Sequence, residues 1–135
     1  MKTKLISIVL LISMSFIACK KENATLPNPN IQKLIGKWNT VSEVTNDYYS
    51  GSSHITTYNY PAGDYSEFKI GGKFYSYSSG STVDADYGFI NASNIWIGLP
   101  SNLLEIKILT ATDLQLYQKT ISGADYTEVT TNFKK

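Results

Sequence analysis

The chain has no arginine among its 135 residues, and its formal net charge is only +1. Arginine supplies the planar two-pronged donor that is favoured for phosphate and guanine contacts. A nearly neutral protein also has no strong field that would steer it toward a polyanion. The composition therefore predicts no nucleic-acid partner.

The chain has only one histidine and one cysteine, which limits the metal and catalytic sites that it can build. A histidine cluster for zinc, copper or iron is excluded because His54 stands alone, and Cys19 has no second cysteine for a disulfide. A serine–histidine–carboxylate triad would have to combine His54 with Ser52 or Ser53, but no nucleophile-elbow pattern surrounds them. We interpret His54 as a solvated residue at the end of a strand.

Two carboxylates, Asp84 and Asp86, stand close enough in the sequence to act together. Residues two apart share one face of a strand, where a carboxylate pair binds calcium or serves as acid and base. The alternation of residues 82–86 more simply places both carboxylates in solvent, which is the interpretation we favour. We therefore expect a protein that is not an enzyme and that holds no metal or cofactor.

Long hydrophobic runs are lacking as well, since the longest, residues 5–17, is too short to span a bilayer. It follows Lys2 and Lys4 and is followed by a small residue, Ala18, in the pattern of a secretory signal. Because Cys19 comes next, residues 16–19 resemble the lipobox of bacterial lipoproteins. That resemblance implies that residues 1–18 are removed as a signal peptide and that the Cys19 thiol carries a diacylglycerol anchor in the cell envelope.

Two other interpretations of Cys19 stay open: a free cysteine in a secreted protein, or a buried cysteine in a core. Residues 19–30 are polar and contain Pro27 and Pro29, which predicts a flexible tether after the lipidated cysteine. Removal of residues 1–18 would leave 117 residues, a size typical of one domain. We expect that domain to occupy residues 31–135.

Residues 31–135 show the alternation, the abundant β-branched and aromatic residues and the recurrent turns of a strand-rich domain. A helical turn is expected first, at residues 31–36. Gly71 and Gly72 predict a two-residue type I′ hairpin turn, because glycine tolerates positive φ at both central positions. Predicted strands cover residues 37–46, 54–60, 65–70, 73–78, 82–90, 95–98, 103–109, 113–120 and 126–133. Eight or nine consecutive strands without a long helix predict an all-β, antiparallel up-and-down β-barrel of about eight strands, with a sandwich as the alternative.

A family resemblance sharpens this expectation. Gly36-Lys37-Trp38 at the start of the first strand looks like the Gly-x-Trp opening of lipocalins and related calycins, in which the tryptophan plugs the closed end of the barrel. Residues 64–68, 72–75 and 108–114 resemble the lipocalin-like domains of small envelope lipoproteins in Bacteroidota. The resemblance implies structural roles for Gly36 and Trp38, an outer-membrane location and a compact barrel without the C-terminal helix and disulfide of classical lipocalins.

Aromatic residues are the positive chemical signal, with ten tyrosines in the chain. Tyrosine combines apolar area with a polar tip, so it can line a mixed pocket inside a barrel or stack on sugars outside it. Tyrosine also simply suits half-buried strands. The candidate ligand-binding residues are Tyr58, Tyr60, Tyr75, Tyr77, Tyr87, Trp96 and Tyr117. The expected core residues are Phe68, Ile70, Phe74, Leu104, Ile106, Ile108, Leu114 and Leu116.

The sequence thus predicts a membrane-anchored lipoprotein whose barrel binds an apolar or amphipathic small molecule without catalysis. The alternative is a barrel or sandwich without a cavity that interacts with an envelope protein or a glycan through tyrosine-rich loops at residues 47–53 and 78–81. The two differ in whether inward-facing side chains fill the interior, and strand patterns alone do not specify which face points inward.

Overall fold

The computed structural model describes residues 28–135. The predicted signal peptide, Cys19 and residues 19–27 of the predicted tether lie outside the described residues. The elements in chain order are α1 (Ile31–Leu34), β1 (Gly36–Tyr49), β2 (Ser52–Asn59), β3 (Tyr65–Lys69), β4 (Lys73–Ser78), β5 (Ser81–Phe89), β6 (Asn94–Ile97), β7 (Leu103–Leu109), β8 (Asp113–Ser122) and β9 (Asp125–Lys134). Within residues 28–135, no helix has the length and apolar character needed to cross a membrane.

The strands form a closed antiparallel barrel of eight strands, with β2 outside it. The barrel runs β1-β3-β4-β5-β6-β7-β8-β9 and is closed by the pairing of β9 with β1. This confirms the predicted all-β barrel and its short N-terminal helical turn.

β1 is long enough to pair with two different strands along one of its edges. Its residues 36–39 pair with β3 and its residues 42–49 pair with β2, while its other edge pairs with β9. A β-bulge between Thr40 and Ser42 bends the strand at the boundary between the two halves. The segment 47–53, predicted as a loop, is therefore mostly strand, with only Ser50 and Gly51 in the turn.

The core fills one end of the barrel, which we call the closed end. The side chains of Leu34, Trp38, Phe68, Ile95 and Leu114 are the largest that are fully buried. The Trp38 indole N–H donates to the carbonyl oxygen of Leu34 at 2.7 Å, so the tryptophan holds α1 across the barrel. The Lys135 Nζ donates to the carbonyl oxygens of Lys33 and Ile35 and lies 4.4 Å from the centre of the Trp38 ring.

The predictions were wrong for two core residues and for the type of one turn. Ile108 is 43% exposed because a bulge between Ile106 and Ile108 reverses the alternation of β7. Ile70 is 82% exposed because Lys69 pairs with Lys73, which leaves three residues rather than two in the turn. Both turn glycines nevertheless have positive φ, +85° at Gly71 and +76° at Gly72.

Candidate functional site

The two ends of the barrel differ in shape. The strand register places α1 and the turns at residues 70–72, 90–93 and 110–112 at the closed end, and the other turns at the open end. At the open end, β2, β1, β9 and β8 extend past the shorter strands, since β1 has 14 residues and β6 only 4. We call the inner face of this four-stranded extension the platform.

A small cavity separates the core from the platform. It has a volume of about 210 Å³ and is bordered by Phe133 of the core and by polar side chains that include Glu43, Tyr60, Ser66, Ser76, Ser78 and Thr131. Small serines occupy the inward positions of β3 and β4 at this level, where phenylalanines 68 and 74 fill the barrel below. The interior is thus packed at the closed end and polar and partly open at the other.

Glu43 and Tyr60 form the main polar pair of the cavity. The Tyr60 hydroxyl donates to Oε2 of Glu43 at 3.3 Å. Burial, followed by the nearby Glu43 carboxylate, raises the pKa of the Tyr60 hydroxyl above its ordinary value. Tyr60 therefore stays protonated as a donor, and the carboxylate of Glu43 retains acceptor capacity for a ligand.

Asp64 fixes one side of the cavity rim. Its buried carboxylate accepts a hydrogen bond from the Ser78 hydroxyl at 2.7 Å and another from the Ser79 backbone N–H at 3.1 Å. Its carbonyl oxygen accepts from the Thr40 N–H at 2.9 Å. These bonds tie the β4–β5 turn to β1, so the role of Asp64 is to position the rim.

The platform presents aromatic rings and a carboxylate to solvent. Residues of β1 at a spacing of two from Glu43 share its inner face, and their partners on β2 share it too. Tyr49 stacks on His54 with ring centroids 4.4 Å apart, and Thr127 donates to Oδ1 of Asp47 at 2.6 Å. Tyr58, which is 54% exposed, meets Tyr60 edge to face at 4.9 Å. The platform thus continues the polar, aromatic character of the cavity.

Three of the seven candidate ligand-binding residues come together at this site: Tyr60 and Tyr77 border the cavity, and Tyr58 lies beside Tyr60 on the platform. Tyr87 points inward but lies in the core, where its hydroxyl donates to the Lys69 carbonyl oxygen at 3.1 Å and burial raises its pKa. Trp96 lies on the outer wall against Gly88, where an added Cβ would be 2.7 Å from its indole nitrogen.

Tyr75 and Tyr117 also belong to the outer wall, and Tyr77 borders the cavity while its ring packs against Tyr65. Tyr75 and Tyr77 pack beside Tyr65, with ring centroids 5.9 and 6.0 Å from the centroid of its ring. The Lys37 Nζ lies over the Tyr65 ring, 3.5 Å from its centroid. The Tyr117 hydroxyl donates to Oε1 of Glu128 at 2.8 Å.

The surroundings of this hydrogen bond shift the pKa values of both groups, Tyr117 and Glu128. Burial first, and then the Glu128 carboxylate, raises the pKa of Tyr117 to about 12. Hydrogen bonds from Lys119, Tyr117 and Asn46, in that order, lower the pKa of Glu128. Tyr117 is thus engaged in a polar network of the wall and faces away from the cavity.

The aspartates and the histidine singled out from the sequence are all exposed. Asp84 and Asp86 lie on the outer face of β5, and Asp86 forms an ion pair with Lys73. His54 is the third residue of β2, and its ring stacks on that of Tyr49. No group of three or more histidine, cysteine or acidic residues suited to a metal ion occurs in the part of the chain that the structure describes.

The sequence interpretation missed Glu43, Asp47 and the inward serines. Counting by twos from the buried Trp38 predicts that residues 40, 42 and 44 point inward. The bulge after Thr40 shifts this alternation by one, so that Glu43, Thr45 and Asp47 take the inner face. The polar alternation from Glu43 to Tyr49 was the available signal.

Comparison with known proteins finds neither a protein-family model nor a curated protein that matches this chain.

Proposed function

We propose that this protein is a lipid-anchored envelope lipoprotein with a lipocalin-like barrel that binds an amphipathic small molecule at its open end without catalysis. The observation that carries the proposal is the cavity beside Glu43 and Tyr60, which opens onto the platform above a packed core.

The size of the cavity limits what enters it. A volume of about 210 Å³ equals that of roughly seven water molecules, whereas pockets that enclose a drug-sized ligand measure about 300–1,000 Å³. One end of the ligand therefore enters the cavity and the rest lies on the platform.

The lining predicts the chemistry of that end. Glu43 accepts hydrogen bonds, while the Tyr60 hydroxyl and the serine hydroxyls donate or accept. Phe133 below and Tyr58 above offer apolar faces. A ring that carries several hydroxyl groups and has one apolar face, as a sugar has, matches this combination.

The entry point of the chain is compatible with an anchor that leaves this site clear. The Asn28 side chain donates to the carbonyl oxygen of Asn91 at 2.8 Å, and the Asn30 side chain donates to that of Ala92 at 2.7 Å. Both contacts are at the closed end. A tether that leads from Cys19 to Asn28 therefore joins the barrel at the end away from the cavity.

A glycan-binding module is the second candidate, and the exposure of the platform favours it. Tyr49 and Tyr58 are 49% and 54% exposed, so their rings are open to a chain of sugar units longer than the cavity can hold. The two candidates differ in whether one small molecule or an extended chain is the ligand.

The test is native mass spectrometry of the purified full chain after incubation with a total lipid and metabolite extract of its host. We compare Ser76→Leu, which fills the cavity from an inward position, with Thr82→Leu on the outer face of the neighbouring strand. A bound mass that Thr82→Leu retains and Ser76→Leu loses supports the cavity. Equal retention by both variants, or recovery of a chemically altered ligand, contradicts the proposal.

The charge of Glu43 is tested separately once a ligand is known. Glu43→Gln keeps the shape but weakens a charge-assisted hydrogen bond, so affinity is expected to fall about tenfold. Glu105→Gln is the control, since Glu105 pairs with Lys107 on the outer wall at 2.7 Å. A loss that is equal in both variants argues against ligand contact at Glu43.

The anchor is tested by Cys19→Ala. This variant is expected to leave the membrane fraction, because the thiol that carries the lipid is gone. Retention of Cys19→Ala in membranes contradicts lipid anchoring but leaves the cavity experiment unaffected.

A further inference from the structure

β2 has an uncovered edge. Among the described residues it pairs with β1 alone, and all eight of its residues are exposed. Proteins protect such edges with charged residues, prolines or bulges. β2 contains no charged residue and no proline, and its pairing with β1 is continuous.

Alternate residues of β2 direct their backbone groups to this free edge. The Tyr60 N–H donates to the carbonyl oxygen of Val41 at 3.0 Å, just past the end of β2. In an antiparallel pair only every second residue bonds to a given neighbour. Counting back from Tyr60, the N–H and C=O groups of Ser53, Ile55, Thr57 and Asn59 point away from β1.

We propose that this edge pairs with β2 of a second copy, antiparallel and about a two-fold axis at Thr56. In this register Ser53 pairs with Asn59 of the second copy, and Ile55 pairs with Thr57 of the second copy. Every outward N–H and C=O group of both strands then finds a partner. The platforms of the two copies then form one continuous surface of eight strands, four from each copy.

The strand is complementary to itself in this register, which identifies the second copy as the occupant. His54 lies opposite Tyr58 of the other copy, an aromatic pair that occurs twice, and the β-branched Ile55 lies opposite Thr57. No like charges meet, because the strand has none. Sliding the strands by two residues in one direction places Asn59 opposite Gly51 of the turn, outside the strand. Sliding them in the other direction places Ser53 opposite Pro61, which has no N–H to continue the ladder.

The register predicts a specific cross-link. Thr56 meets itself at a position without backbone hydrogen bonds, where Cα atoms lie about 4.5 Å apart, within the range of about 4.4–6.8 Å that a disulfide spans. Thr56→Cys in the full chain is expected to give a disulfide-linked dimer in the host envelope on non-reducing gels. Thr120→Cys, an exposed position on β8, is the control, and the parent chain with Cys19 alone gives the baseline.

A dimer band from Thr56→Cys above that baseline, with none from Thr120→Cys, supports the pairing. The absence of a band from Thr56→Cys, or an equal band from both variants, overturns it.

A second measurement does not depend on cysteine. Ile55 and Ile121 are exposed to almost the same extent, 68% and 69%, but only Ile55 is on the β2 edge. Ile55→Lys replaces two cross-strand pairs in the dimer, so its dissociation constant in analytical ultracentrifugation of the detergent-solubilised protein is expected to rise about tenfold. Ile121→Lys is expected to leave it unchanged. A monomeric wild type, or an equal effect of the two variants, contradicts the proposal.

Discussion

The two tryptophans allow a direct test of which of them supports the barrel. Trp38 is fully buried and bonded to the Leu34 carbonyl oxygen, whereas Trp96 lies half-buried on the outer wall. Trp38→Phe removes that hydrogen bond, worth about 1 kcal/mol, and leaves a void that costs about another 1 kcal/mol. We therefore expect the free energy of unfolding to fall by about 2 kcal/mol in Trp38→Phe and by less than about 1 kcal/mol in Trp96→Phe.

The assay is urea unfolding followed by circular dichroism and by fluorescence. Each variant keeps one tryptophan, so its emission reports on the other site alone. Before unfolding, the emission of Trp38 in Trp96→Phe is expected at shorter wavelength than that of Trp96 in Trp38→Phe, since Trp38 is shielded from water. If Trp96→Phe is the more destabilised variant, or if both lose the same free energy, the assignment of Trp38 as the closed-end plug is refuted.

Two further predictions concern a turn and a titration. Gly72→Ala is expected to lower the free energy of unfolding by about 1 kcal/mol more than Gly80→Ala does. Both glycines have positive φ, but of the two only Gly72 would place the new Cβ 2.9 Å from a backbone oxygen, that of Tyr87. Equal losses of unfolding free energy in urea would contradict this. Because the pKa of Tyr117 is raised from 10.0 to about 12 in the folded protein, the unfolded chain releases this proton first as the pH rises. The stabilisation that the raised pKa of Tyr117 contributes is therefore present below pH 10 and is lost toward pH 12. If the free energy of unfolding of the wild type falls no more steeply over this range than that of Tyr117→Phe, the raised pKa is contradicted.

The barrel could be predicted from the sequence because its determinants are local. Alternation and turn residues identify strands, and short connections make consecutive strands neighbours. Trp38 in the Gly-x-Trp segment was expected at the closed end, and it is buried there.

The face of each strand beyond a bulge could not be predicted. The bulges after Thr40 and Ile106 each add a residue, and every later side chain in those strands then turns to the opposite face. Glu43 was therefore missed as a cavity residue, and Ile108 was wrongly assigned to the core. The position of β2 outside the barrel could not be predicted for another reason. The residues of its predicted strand, 54–60, do not show whether the strand pairs with one neighbouring strand or with two.

The proposed dimer bears on the choice between the two candidate functions. A two-fold axis perpendicular to a continuous sheet puts the platforms of both copies on the same side, with His54 of one beside Tyr58 of the other. A ligand confined to one cavity gains little from a second copy. A glycan long enough to cross both platforms binds two sites at once, and the second contact is strengthened by the high effective concentration that the first creates. Loss of glycan affinity in Ile55→Lys, with small-molecule affinity unchanged, would therefore identify the extended ligand as the one that the paired platforms accommodate.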